Sequence, residues 1–207
     1  MTLDQVVSSI IGRSREVPAK HSMLVGISGI DASGKGHISR LIDQSLRSKG
    51  YRVALINIDG WLNLPPVRFD PDDPAGNFYR NAIRFDEMFD QLVLPLREDR
   101  LIDLTADFTE ETAVEYRKHN YRFDDIDIIL LEGIFLFKRA FVHLYDLKIW
   151  IECPFETALQ RAVVRSQEGL SPEETTYAYE SIYFPAQRIH FEIDDPISAA
   201  DIVVDNS

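Results

Sequence analysis

The sequence has a single cysteine, Cys153, among its 207 residues. An internal disulfide is excluded, and a reducing compartment, the cytoplasm, is expected. Residues 1–20 carry no apolar run of the signal-peptide type. Nowhere do about 18 apolar residues follow one another, so neither a leader nor a membrane span is expected. Positive charge is also scarce: 22 Lys and Arg stand against 34 Asp and Glu, a net charge of −12. That balance argues against a general nucleic-acid or anionic-membrane binder, while leaving room for a local basic pocket. The five histidines show no metal-ligand spacing. There is no internal repeat and no low-complexity tract. What remains is an ordinary globular composition, 45% hydrophobic, sized for one domain over residues 1–207.

Periodicity supplies the elements. Leu3, Val6, Val7, Ile10 and Ile11 recur at helical spacing and predict an opening amphipathic helix. Residues 23–28 (MLVGIS) read as a buried strand. Ile38, Leu41, Ile42 and Leu46 form one helical face, closed by Gly50. Residues 52–58 (RVALINI) predict a second strand that ends at Asp59-Gly60. Residues 60–76, with Pro65-Pro66, Pro71 and Pro74, read as a loop. Phe78, Ala82, Phe85, Phe89 and Leu92 share a face of one long helix. Ile102, Leu104, Ala106 and Phe108 alternate with polar residues, as do Val114 and Tyr116; they predict an antiparallel hairpin over about 101–120, outside the main sheet. Strands follow at 126–131, 147–151 and 200–204. Phe155, Ala158, Leu159 and Ala162 mark a helix. Ser171-Pro172-Glu173-Glu174 starts another, which Pro185 should kink or stop. Strands alternating with helices predict an α/β fold, a parallel sheet covered on both faces.

The stretch GIDASGKG, residues 29–36, has the spacing of a phosphate-binding loop. It spans Gly29, Ile30, Asp31, Ala32, Ser33, Gly34, Lys35 and Gly36, with His37 next, and lies between a predicted strand and a predicted helix. Such glycines let backbone N–H groups converge on an anion at a helix N-terminus, and Lys35 can reach the β- and γ-phosphates. A turn that merely joined strand to helix would not need the lysine. The usual Ser or Thr, which holds Mg²⁺, is replaced by Gly36. Asp59 ends the second strand where ligands of open α/β sheets bind, suited to accept a hydroxyl proton or hold a metal-bound water. Glu132 ends the run Ile128–Leu131 at the same sheet edge, where a metal-side carboxylate belongs. Arg161 and Arg165, four apart, could clamp phosphates beside a lid at about 165–171. Tyr177, Tyr179, Tyr183 and Phe184 read as packing rather than a stacking platform.

Together these residues resemble the uridine kinase and phosphoribulokinase group of P-loop kinases. The resemblance covers nearly the whole chain from residue 22. It rests on VGISGIDASGKG, INIDGW, RFDEM, TADF, ILLEGIF, RAVVR and ADIVVDN in that order. It implies a P-loop NTPase fold, three-layered around a central parallel sheet, with a small hairpin insert. It also implies ATP and Mg²⁺ as cofactors and a small-molecule acceptor, a nucleoside. By resemblance Lys35 serves the ATP phosphates, Asp59 is the general base for the 5′-hydroxyl, and Asp86, after Phe85, binds ribose hydroxyls. Phe108 lines the base pocket, Glu132 sits on the magnesium side, and Arg161 and Arg165 are lid arginines.

Departures cluster in the acceptor half. Ala106 and Glu111 stand where a pyrimidine-reading Tyr and His are usual, and Leu62 replaces an aromatic. Weak or broad pyrimidine selectivity is therefore expected. Two rivals stay open: a kinase of the same fold acting on a sugar, glycerate or pantothenate-like acid, and a nucleotide-binding regulator without turnover, favoured by Gly36. The hairpin can equally support a homo-oligomer contact.

Overall fold

The computed structural model describes residues 1–166 and 169–207. Helix α1 (Leu3–Ser14) begins with a capping box, Thr2 and Gln5 each satisfying the other's backbone N–H. Strand β1 (Met23–Gly29), α2 (Lys35–Ser48) and β2 (Val53–Asn57) follow. After β2 come a 3₁₀ turn at Ile58–Trp61, the single-turn α3 (Pro65–Arg68), α4 (Pro74–Asn81), α5 (Phe85–Met88) and α6 (Leu94–Asp99). Strands β3 (Ile102–Phe108) and β4 (Arg117–Phe123) form the hairpin. The chain then returns through β5 (Ile128–Gly133), β6 (Leu147–Glu152), α7 (Phe155–Arg165), α8 (Pro172–Ala178), α9 (Phe184–Asp194), α10 (Pro196–Ala199) and β7 (Ile202–Asp205).

The main sheet has the order β2-β5-β1-β6-β7, with every pair parallel. Both faces are covered, so β1 and β5 are buried at every position rather than at alternate ones. Val25, Ile27, Ile128, Leu130 and Ile149 pack on α1 and α2, against Val7, Ile10, Ile38 and Ile42. Leu24, Ile129, Leu131 and Trp150 pack on the opposite layer, which includes Phe89, Leu92, Ala158, Ala162 and Phe184. This is the three-layer α/β architecture with a separate two-stranded antiparallel sheet that the residue pattern predicts.

Four local expectations are corrected. The second hairpin strand is Arg117–Phe123, not the Val114–Tyr116 segment: Val114 is 82% exposed in the connection, and Ala106 pairs with His119. The segment around Pro65-Pro66 is partly helical as α3. The single long helix over 78–92 is broken, because residues 82–84 leave it to pair with the chain after β2. Asn63 donates to the Ala82 carbonyl and Arg84 to that of Trp61, each at 2.9 Å. Finally, Pro185 does not stop its helix. A π turn at Tyr179–Tyr183 carries α8 into α9, and an equivalent turn at Phe89–Val93 precedes Pro95. Proline lacks the N–H and clashes with the preceding turn; a locally wider turn accommodates both defects without breaking the rod.

The burial pattern yields a stability prediction. Leu130 is fully buried at the sheet centre, whereas Val203 on the edge strand β7 is 41% exposed. Leu130→Ala should cost about 2–5 kcal/mol in urea unfolding and Val203→Ala well under about 1 kcal/mol.

Candidate active site

The parallel register brings the C-terminal ends of β1, β2 and β5 to one edge. Ile27 pairs with Glu132, and Glu132 with Asn57. The loop after β1 turns at Ala32 and Gly34, both in the left-handed region with φ of 55° and 89°. Gly34 is the N-cap of α2 and offers no side-chain cap, so the donors at this helix end are left to a ligand or solvent. A Cβ on Gly34 would overlap the amide of Asn206. That amide donates to the Ser33 carbonyl at 2.7 Å, and Arg161 bonds the Asn206 carbonyl at 2.8 Å. The loop is thus braced from behind by the end of the chain. Lys35 folds back to the Ile30 carbonyl at 3.3 Å.

Asp59 sits in the 3₁₀ turn after β2. Its backbone N–H is held by the Asn57 side chain at 2.7 Å, a local lock on the turn. Gly60 follows because the Phe108 ring lies directly on it: a Cβ there would come within 2.8 Å of Phe108 Cδ2. This contact docks the hairpin onto the Asp59 turn, and Thr109 donates to the Gly60 carbonyl at 3.1 Å. Glu132, only 5% exposed, projects under the loop. Burial raises its pKa to about 7, with Lys35 and Arg40 opposing the shift and Asp59 and Asp31 adding to it.

Three cavities meet here, and Asp59 and Glu111 line all of them. The loop cavity, about 360 Å³, takes its walls from Asp31, Ala32, Gly34, Lys35, Gly36, His37, Glu132, Arg161 and Arg165. An inner cavity of about 230 Å³ is walled by Leu62, Arg68, Phe69, Phe78, Tyr179 and Tyr183. An outer one of about 500 Å³ lies between β2 and the hairpin, lined by Phe108, His119, Tyr121 and Phe123.

Most sequence-derived candidates therefore converge. Gly29 ends β1 under the loop, the Ile30 side chain is buried in the core, and Ser33 Oγ is buried without a partner. Arg161 touches the loop from behind through the Ser33 carbonyl, and Arg165 reaches Tyr179 Oη at 3.4 Å. Phe85 and Asp86 do not join the site. Phe85 is stacked on Phe141 in the core, Asp86 is exposed on the first turn of α5, and neither lines any of the three cavities. The lid expected at about 165–171 includes residues 167 and 168, which lie outside the described residues. Sequence reasoning missed Arg68, Asn57 and Asn206, and assigned Tyr179 and Tyr183 to packing alone; the π turn is what brings these two tyrosines to the cavity.

The residues present fit a bound nucleoside triphosphate: an uncapped helix end, a left-handed glycine and a lysine line one open cavity. They also fit Mg²⁺ held mainly by phosphates and water. Among the described residues no group of three or more His, Cys, Asp or Glu could hold a metal by itself.

No protein-family model matches the sequence. It is 28% identical over 173 residues to uridine-cytidine kinase B of Dictyostelium discoideum, covering 81% of this chain and 69% of that protein. Its fold matches a solved structure described as a possible uridine kinase from Bacillus stearothermophilus, with a TM-score of 0.76, 21% identity, and 98% and 97% of the two chains covered. It also matches YFH7 of Saccharomyces cerevisiae, described as "a putative P-loop containing kinase with a circular permutation", with a TM-score of 0.75, 10% identity and both chains covered in full. The chain has the P-loop kinase fold and is similar in sequence to a uridine-cytidine kinase. Among the described residues, no helix is long and apolar enough to cross a membrane.

Glu132 makes the protein's stability depend on pH. Its folded pKa of about 7 exceeds the ordinary 4.5. Below about pH 4.5 the carboxyl is protonated in both states. As pH rises from 4.5 to 7, the unfolded carboxyl ionises first, so folded-state stability falls, and the loss is complete above 7. Glu132→Gln removes that loss. Nucleotide-free Glu132→Gln should be more stable than the parent by roughly 1–3 kcal/mol at pH 8, and the gain should vanish at pH 4.5. Urea melts at the two pH values check this; an equal effect at both would assign the gain to packing.

Proposed function

We propose that this kinase transfers the γ-phosphoryl group of ATP to a hydroxyl of a small acceptor, the 5′-hydroxyl of a nucleoside. What supports this is one juxtaposition: Lys35, Asp59 and Glu132 line the same cavity, at the mouth of a glycine loop. The similarity to a uridine-cytidine kinase favours the nucleoside within that reading. The whole chain is read as one kinase domain, working in the cytoplasm, with the hairpin as its acceptor-side insert.

In this reading the loop backbone and the start of α2 hold the phosphates, and Lys35 leaves the Ile30 carbonyl to neutralise them. Asp59, fixed by Asn57, accepts the proton of the acceptor hydroxyl. Arg165 faces the cavity as a charge-stabilising group, while Arg161 holds the loop in shape. Glu132 and Asp59 are the carboxylates that would face a Mg²⁺ ion brought in with the nucleotide, which would supply charge neutralisation for the phosphates.

Asp59→Asn tests the reading most directly. Nucleotide affinity should stay nearly intact while kcat for nucleoside phosphorylation, followed by coupled ADP release, falls roughly 10²–10⁴-fold. A near-normal kcat would return Asp59 to the role of a turn residue.

Gly36 gives a second test. A Cβ at this helical position would lie 3.6 Å from Glu132 Oε2 and 3.8 Å from Arg40 Nη1, ordinary contacts that leave room for a serine. The missing hydroxyl is then replaced by water in the parent enzyme. Gly36→Ser should lower the Mg²⁺ concentration for half-maximal turnover and, by helix propensity, add up to about 0.5 kcal/mol of stability. ATP binding without Mg²⁺-dependent turnover, across a panel of acceptors, would instead mark a regulator.

A further inference from the structure

Arg68, at the end of α3, is a buried cation whose guanidinium is only partly hydrogen-bonded. It is 4% exposed and forms no ion pair with any described residue. One terminal nitrogen donates to the Glu111 carbonyl at 2.6 Å, and the guanidinium lies 5.2 Å over the Phe69 ring. Its Nε–H is buried with no partner at all. Burial accordingly holds its pKa below the ordinary arginine value. A buried donor left unpaired costs folding free energy comparable to a lost hydrogen bond, and more when it is charged. The Glu111 carbonyl, the Phe69 ring and the nearby carboxylates offset part of that cost, but none of them meets the Nε–H; a ligand in the inner cavity, which Arg68 lines, would.

The cavity narrows the ligand's chemistry. Three carboxylates, Asp31, Asp59 and Glu111, share its wall with Arg68. An anionic acceptor would meet them, so the oxygen that suits the Nε–H is a neutral carbonyl. The other walls are aromatic: Phe78 and Tyr183 have ring centroids 4.9 Å apart, and Tyr179 and Tyr183 5.1 Å apart. The rings are set at 52° and 88° to one another, an apolar and edge-rich lining that suits an aromatic ring better than a hydroxylated chain. Because Asp59 also lines the cavity, a ring held there can carry its hydroxyl toward that carboxylate.

We propose that Arg68 is a specificity-determining residue, whose Nε–H donates to a ring carbonyl of a neutral acceptor seated among Phe69, Phe78, Tyr179 and Tyr183. The inference rests on the phosphoryl-transfer reading and deepens it: the acceptor is a carbonyl-bearing heterocyclic riboside, not a hydroxy acid or a simple sugar. It also revises the expectation of weak pyrimidine selectivity drawn from Ala106 and Glu111.

The experiment compares the parent kinase with Arg68→Met and Arg68→Lys, the second keeping the buried charge if the first is poorly folded. Uridine, the riboside of benzene, which has no carbonyl, and D-glycerate are titrated by calorimetry, and kcat and KM are measured by ADP release with Mg·ATP. The parent should bind uridine at least roughly tenfold more tightly than the benzene riboside. Both variants should lose roughly 10- to 100-fold in uridine affinity and in kcat/KM, through KM, with less than about threefold change for the benzene riboside. Equal losses for both ribosides would make Arg68 a purely structural brace and overturn the proposal. So would failure of the parent to bind uridine, or Arg68-dependent preference for glycerate. Arg68-dependent uridine binding without ADP release would uphold the role of Arg68 and remove the phosphoryl-transfer reading.

Discussion

The backbone ladder between β1, β5 and β2 holds Ile27, Glu132 and Asn57 side by side. Everything at the site hangs from it. Parallel strands point their carboxyl ends the same way, so the glycine loop, the Asp59 turn and Glu132 must emerge at one edge. An antiparallel neighbour in either position would send one of them to the far side. The ladder is rigid because both its faces are dry, and that dryness is why Glu132 is held so far from its ordinary protonation behaviour.

The loop shows how a site can lose a ligand and keep its shape. Its conformation depends on the left-handed Gly34 and on the brace from Arg161 and Asn206 to the Ser33 carbonyl, none of which involves residue 36. Gly36 lies within the first turn of α2, facing Glu132. The absence of a side chain there therefore leaves the loop's conformation undisturbed, since that conformation is set by other residues.

The acceptor side is built differently, from pieces far apart in the chain. The Phe108 ring on Gly60 fastens the hairpin to the β2 turn, and Arg68 reaches the hairpin connection through the Glu111 carbonyl. The π turn before Pro185 contributes Tyr179 and Tyr183. Each contact joins an element of ordinary stability to one whose position depends on it.

The sequence by itself determined the layers, the strands of the main sheet and the loop, because these rest on local signals. Apolar runs such as Ile128–Leu131 mark strands buried on both faces, and a glycine-lysine loop between strand and helix has one familiar use. It determined Asp59 and Glu132 as strand-end carboxylates for the same reason. Tertiary structure decided what has no local signature. Only the strand register could put Glu132 beside Asn57, and only the pairing of residues 61–63 with 82–84 could break the helix that the apolar spacing over 78–92 predicts. In the sequence, Arg68 is one charge in a proline-rich loop, and Arg161 is a helix-face charge; burial against Glu111 and contact with Asn206 give them their places. Such placements depend on contacts between residues tens to more than a hundred positions apart, and no window along the chain contains both partners.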